Sequence, residues 1–104
     1  MRATMILVKC SNLKERSFPT NEGGNRIVQF RELTFTDGID TIFGETGESL
    51  TKRINAQDPN VKLDMAEGHI YNVDFNLSAK TYKNQKGEEG IFFRCLITNC
   101  GKLL

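Results

Sequence analysis

Four residues within a span of seven, Lys80, Tyr82, Lys83 and Lys86, set three ammonium groups around one flat ring. Ammonium groups track phosphates through charge, and an aromatic ring offers a face on which a base stacks, worth about 1–3 kcal/mol per base. The chemistry this stretch suits is capture of a flexible polyanion in which charges and bases alternate. A second set of the same kind lies in the segment 12–26, where Arg16 and Arg26, with Lys14, flank Phe18. Phe92 and Arg94 form a third. Two residues apart, they share a face of any extended segment and supply a stack beside a phosphate or cation–π contact. Arg31 and Lys9 are further surface candidates for the same groove. Each reading has a plainer counterpart. Lysines and glycines also build an ordinary solvated hairpin, Glu88 and Glu89 dilute the charge, and Phe92 has the alternative of joining Phe93 in a crowded core.

Composition bounds what else the chain does. The 104 residues suffice for one core and one domain, 1–104. With 38% hydrophobic and 26% charged residues, the mixture is too apolar for disorder and too polar for a membrane protein. Net charge is +1, so no global field announces a polyanion and the local clusters carry that argument. The longest apolar stretch near the N-terminus, Met5 to Val8, is too short for a signal-peptide core. Three cysteines, Cys10, Cys95 and Cys100, have no paired spacing, and a cytoplasmic setting with reduced thiols is expected. The lone histidine, His69, has no clustered ligand partner, so neither metal nor cofactor is expected. No nucleophile elbow or phosphate loop exists, and the carboxylates of Asp37, Asp40 and Glu45 resemble a solvated turn; the expectation is a protein that is not an enzyme.

The elements that must position these residues are mostly strands. Thr4 to Leu13 alternates, with Ile6, Val8 and Cys10 on the face predicted to be buried. Lys14 to Asn25, rich in turn formers, reads as a hairpin loop. Arg26 to Thr36 reads as the second strand, with a change of phase between Phe30 and Leu33 that suggests a β-bulge. Asp37-Gly38 predicts a two-residue turn into Ile39 to Phe43. Leu50 and Ile54 stand one helical turn apart and predict a short helix over Thr46 to Gln57, capped by Thr46 or Ser49 and ended by Asp58-Pro59. Tyr71, Val73, Phe75, Leu77 and Ala79 then share one face of a long strand. Tyr82 to Gly90 reads as an extended loop, and Ile91 to Thr98 as a final strand with Phe93, Cys95 and Ile97 inward. Phe30, Phe35, Phe43, Tyr71 and Phe75 are expected in the core.

Three strands, one helix, then two strands is the order of the OB-fold, a five-stranded Greek-key barrel with its helix between the third and fourth strands. The run Glu67-Gly68-His69-Ile70-Tyr71-Asn72-Val73, then Leu77-Ser78-Ala79-Lys80-Thr81-Tyr82, then Asn84-Gln85-Lys86-Gly87, resembles the fourth strand, basic loop and closing turn of bacterial and phage single-stranded DNA-binding proteins. The resemblance implies an all-β OB-fold and a non-catalytic role in DNA replication, recombination or repair. Electrostatic capture and stacking in turn predict little sequence preference. Lys80 and Tyr82 fall where that family places a basic residue and an aromatic. The chain has no tryptophan, which leaves stacking to Tyr82, Phe92 and Phe18. Expected partners are single-stranded DNA, with RNA as the alternative, and replication proteins. A homo-oligomer stays open, no membrane is expected, and a phage or plasmid source would place the protein in the host cytoplasm. The rival expectation is a protein-docking module of the same fold.

Overall fold

The computed structural model describes residues 1–103, and the chain is mostly β. Among the described residues, seven strands and one helix follow in order: β1 (Arg2–Cys10), β2 (Lys14–Pro19), β3 (Asn25–Phe30), β4 (Glu32–Thr36), β5 (Thr41–Thr46), α1 (Glu48–Ile54), β6 (Ile70–Lys83) and β7 (Glu89–Lys102). Five of the strands pair in the order β1-β4-β5-β7-β6, and β6 returns to pair with β1, so the ring of pairings closes into a barrel. All of these pairings are antiparallel except the short β5–β7 contact, Glu45 with Leu96 and Thr46 with Ile97. There the backbones approach so closely at Gly44 that a Cβ would lie 2.8 Å from the Cys95 carbonyl oxygen.

Alternating apolar residues fill the barrel: Leu7 from β1, Leu33 and Phe35 from β4, Tyr71, Val73 and Phe75 from β6, Ile97 and Cys100 from β7. Phe35 and Tyr71 meet edge to face with centroids 6.0 Å apart. The Tyr71 hydroxyl donates to the Asp64 carbonyl at 2.9 Å and accepts from the Ala66 amide at 2.8 Å, so the buried ring carries no orphaned polar atom. Leu50 and Ile54 of α1 add to this core. The helix begins at Gly47, with no side-chain cap, in place of the predicted Thr46 or Ser49; the Thr46 hydroxyl is committed to the Arg31 amide at 2.8 Å.

Several expectations are corrected. In β1 the buried residues are Met5 and Leu7, while Ile6 and Val8 are exposed; both faces of this strand are apolar, so alternation alone does not orient it, and a register shift after Leu7 brings Cys10 back to the core. The segment from Lys14 is no loop. It pairs as β2 with β3, from Lys14 opposite Phe30 to Pro19 opposite Asn25, in a separate two-stranded ribbon. The phase change in Arg26 to Thr36 is therefore the passage from ribbon to barrel, at Arg31, whose carbonyl accepts from the Thr46 amide at the end of β5 and whose amide donates to the Thr46 hydroxyl. The Asp37-Gly38 turn is a four-residue loop, 37–40, in which the Asp37 side chain accepts from the Ile39 and Asp40 amides. The extended loop predicted from Tyr82 to Gly90 shrinks to residues 84–88, because pairing runs to Lys83 opposite Glu89.

The ends of β6 and β7 thus run past the barrel as a second two-stranded arm. Only Arg2–Ile6 pair with β6, opposite Ile70–Asp74, so its later residues have β7 as their sole neighbour. Leu77, Ala79 and Phe93 keep the inward parity of the strands but no longer have a barrel around them. They are exposed, as is Phe43 on β5; for Phe93 and Phe43 this corrects the expected inward placement. No helix is long and apolar enough to cross a membrane among the described residues.

Candidate nucleic-acid interface

Ribbon and arm each present one cationic and aromatic face. In an antiparallel pair, residues directly opposite share a face. On the ribbon, Lys14, Arg16 and Phe18 of β2 therefore lie with Phe30, Val28 and Arg26 of β3. On the arm, Ser78, Lys80 and Tyr82 lie with Arg94, Phe92 and Gly90. Tyr82 and Phe92 stack with centroids 6.2 Å apart and planes tilted by 47°. The Tyr82 ring lies over Gly90, where a Cβ would meet it and oblige the ring to swing aside.

The two faces meet at a groove lined by Arg16, Phe18, Glu45, Lys80, Phe92, Phe93 and Arg94. Five of the candidates predicted from sequence, drawn from segments more than sixty residues apart, are brought together here. Phe18 and Phe92 are each nearly half exposed, so an incoming flat group reaches both rings. At the groove, Arg16 sits 4.6 Å over the Phe30 ring and donates to Glu45 from both guanidinium nitrogens, at 2.8 and 3.2 Å. Arg94 reaches the same carboxylate at 3.5 Å. Hydrogen bonding from Arg16, more than the opposing desolvation, holds the Glu45 carboxyl below its ordinary range. Lys80 has no ion-pair partner among the described residues.

Other candidates are placed elsewhere. Lys83 faces the opposite side of the arm and pairs with Glu89 at 3.6 Å. Lys86 is exposed in the tip, where the Asn84 side chain accepts from its amide and from that of Glu88, both at 2.9 Å. Arg26 shares the ribbon face but is paired with Glu48 at 3.2 Å. Arg31 is corrected outright: its guanidinium donates to the Asn55 side chain at 2.9 and 3.1 Å and to the Ser11 carbonyl at 2.9 Å, a brace between ribbon, barrel and helix end. Lys9 lies on the barrel beside Thr34.

Glu45 is the residue that sequence reasoning missed, grouped there with Asp37 and Asp40 at a turn that it does not share. Its parity with Phe43, both flanking the inward Gly44, was the available signal that both point out of the barrel. Among the cysteines, all free, Cys100 is buried and its thiol is pushed up to about 12, which removes it from nucleophilic chemistry near neutral pH. No cluster of three metal-ligating side chains occurs among the described residues. Neither a protein-family model nor a curated protein matches the chain.

Proposed function

We propose that the chain is an OB-fold protein that binds single-stranded DNA in the groove between ribbon and arm, without catalysing a reaction, in replication, recombination or repair. The observation that carries this reading is the convergence of Arg16 and Phe18 from one hairpin with Lys80, Phe92 and Arg94 from another on a single groove. Support for the fold comes from the closed ring β1-β4-β5-β7-β6, with α1 between the third and fourth strands of that ring. Cations beside half-exposed rings match what a flexible strand needs, phosphate neutralisation plus stacking, and contain no rigid readout of base edges. Binding is therefore expected to show little sequence preference and to fall steeply with salt.

The test is a titration of fluorescein-labelled oligo(dT), the matching duplex and oligo(U) at two salt concentrations. Single strands bind and the duplex does not; absence of binding by every strand at micromolar protein in low salt removes the reading. Comparable affinity for oligo(U) moves the ligand to RNA or to either nucleic acid. The rival, a protein-docking module, rests on the reverse face of the arm, where Phe93, whose ring also reaches the edge of the groove, is 83% exposed beside Leu77 and Ile91. Concentration-dependent self-association of the free protein that Phe93→Ser abolishes would favour it.

A further inference from the structure

We propose that Glu45 is a built-in competitor for the phosphate backbone, a carboxylate that bridges Arg16 and Arg94 across the groove until a chain of phosphates takes both arginines from it. The inference deepens the single-strand reading and rests on it. Arg16 comes from the ribbon, Arg94 from the arm and Glu45 from β5, the barrel strand that pairs with β7. Among the described residues ribbon and arm share no backbone pairing, so this carboxylate is a direct polar link between the two walls of the groove.

A guanidinium meets a carboxylate and a phosphate through the same fork of parallel N–H donors, so a phosphate replaces Glu45 on Arg16 with no change in donor geometry. The side chains of Arg16 and Arg94 are each 43% exposed and that of Glu45 23%, so the bridge is open to water and to exchange. Two cations and one anion leave a single net positive charge at the bridge. Removing the carboxylate would double it. Neighbouring charges do not compensate: Glu32 is engaged by Lys14 and Glu48 by Arg26 and Lys52, and Lys80 adds a further cation.

Salt dependence separates this role from passive support. Each phosphate neutralised on a single strand releases counterions with a slope of about 0.7 in log K against log salt, and a carboxylate set free on binding takes a cation back up. Glu45→Gln is therefore expected to bind about tenfold more tightly at low salt, with a slope steeper by about 0.7. Glu67→Gln, an equal charge change in the exposed connector between α1 and β6, controls for net charge. Both variants and wild type are titrated with labelled oligo(dT) and with polyphosphate, a phosphate chain without bases, at a pH and temperature where urea unfolding shows each to be fully folded. Tightening specific to Glu45→Gln on both probes supports the proposal. Tightening on polyphosphate without any binding of oligo(dT) keeps the competitor and removes the single-strand reading. No tightening beyond Glu67→Gln on either probe, or weaker binding, overturns the competitor whatever the wild type does.

Discussion

Phe92 and Lys80 stand directly opposite each other on the arm, one a π-face and the other an unpaired cation, and their substitution should separate the two sources of affinity. Phe92→Ala is expected to weaken oligo(dT) binding by about 1–3 kcal/mol with the salt slope unchanged, because a stacking contact releases no counterion. Lys80→Ala should instead lower the slope by about 0.7 and weaken all sequences alike. Equal slopes for the two variants, from titrations at a series of salt concentrations, would refute that division of roles. Acid tests Glu45 at the same scale. Its carboxyl is depressed from the ordinary 4.5, foremost by the Arg16 hydrogen bond, so the stability it lends is complete above that value and disappears as pH falls through the lower folded value. Asp37 and Asp74 are depressed too and act in the same window. The difference between wild type and Glu45→Gln in urea unfolding, followed from pH 6 to pH 3, isolates the one group and should shrink toward the acid end.

At the scale of elements, the ribbon and the arm owe their order to different causes. The arm is the direct extension of β6 and β7, two strands with barrel partners below it. Among the described residues the ribbon has no backbone pairing to the barrel and buries only Phe30; its contacts are side chains, chiefly Lys14 with Glu32, Arg16 with Glu45 and Arg26 with Glu48. Exposed pairs of this type contribute about 0–1 kcal/mol each and are screened by salt. Amides of β2 and β3 should therefore exchange faster than those of Leu7, Phe35 and Tyr71, and faster again in about 0.5 M salt, while core amides hold their rates. Hydrogen exchange followed by NMR measures this. Uniform protection across ribbon and barrel would show that side chains hold the ribbon more firmly than ion pairs can. This element was hidden in the sequence because Lys14–Pro19 is charged, carries no apolar alternation and ends in proline, the signals of a loop. Pairing with β3 decided it, and pairing is not local information.

For the whole molecule, the radius of gyration is 15.9 Å where a domain of this length averages about 13 Å, the consequence of an arm that leaves the barrel behind. The same extension decides which aromatics are structural. Phe35→Ala should cost about 3–5 kcal/mol in urea unfolding, because the ring is wholly buried, whereas Phe93→Ser should stay within about 0.5 kcal/mol despite an equally apolar setting in the sequence. Comparable losses in the two variants would mean that the arm packs against something in solution. From the sequence alone came the β-rich character, the short helix before the break at Asp58-Pro59, and the inward set Tyr71, Val73 and Phe75, since period and turn chemistry act between near neighbours. The same holds for the cationic and aromatic clusters as clusters. Only the tertiary structure decided where the barrel ends along β6 and β7, and so which members of one apolar face, Phe75 or Leu77, Ile97 or Phe93, are covered. It alone decided, too, that Arg31 is a brace while Arg16 and Arg94 share Glu45, because long side chains choose partners by spatial approach across segments that sequence spacing does not relate.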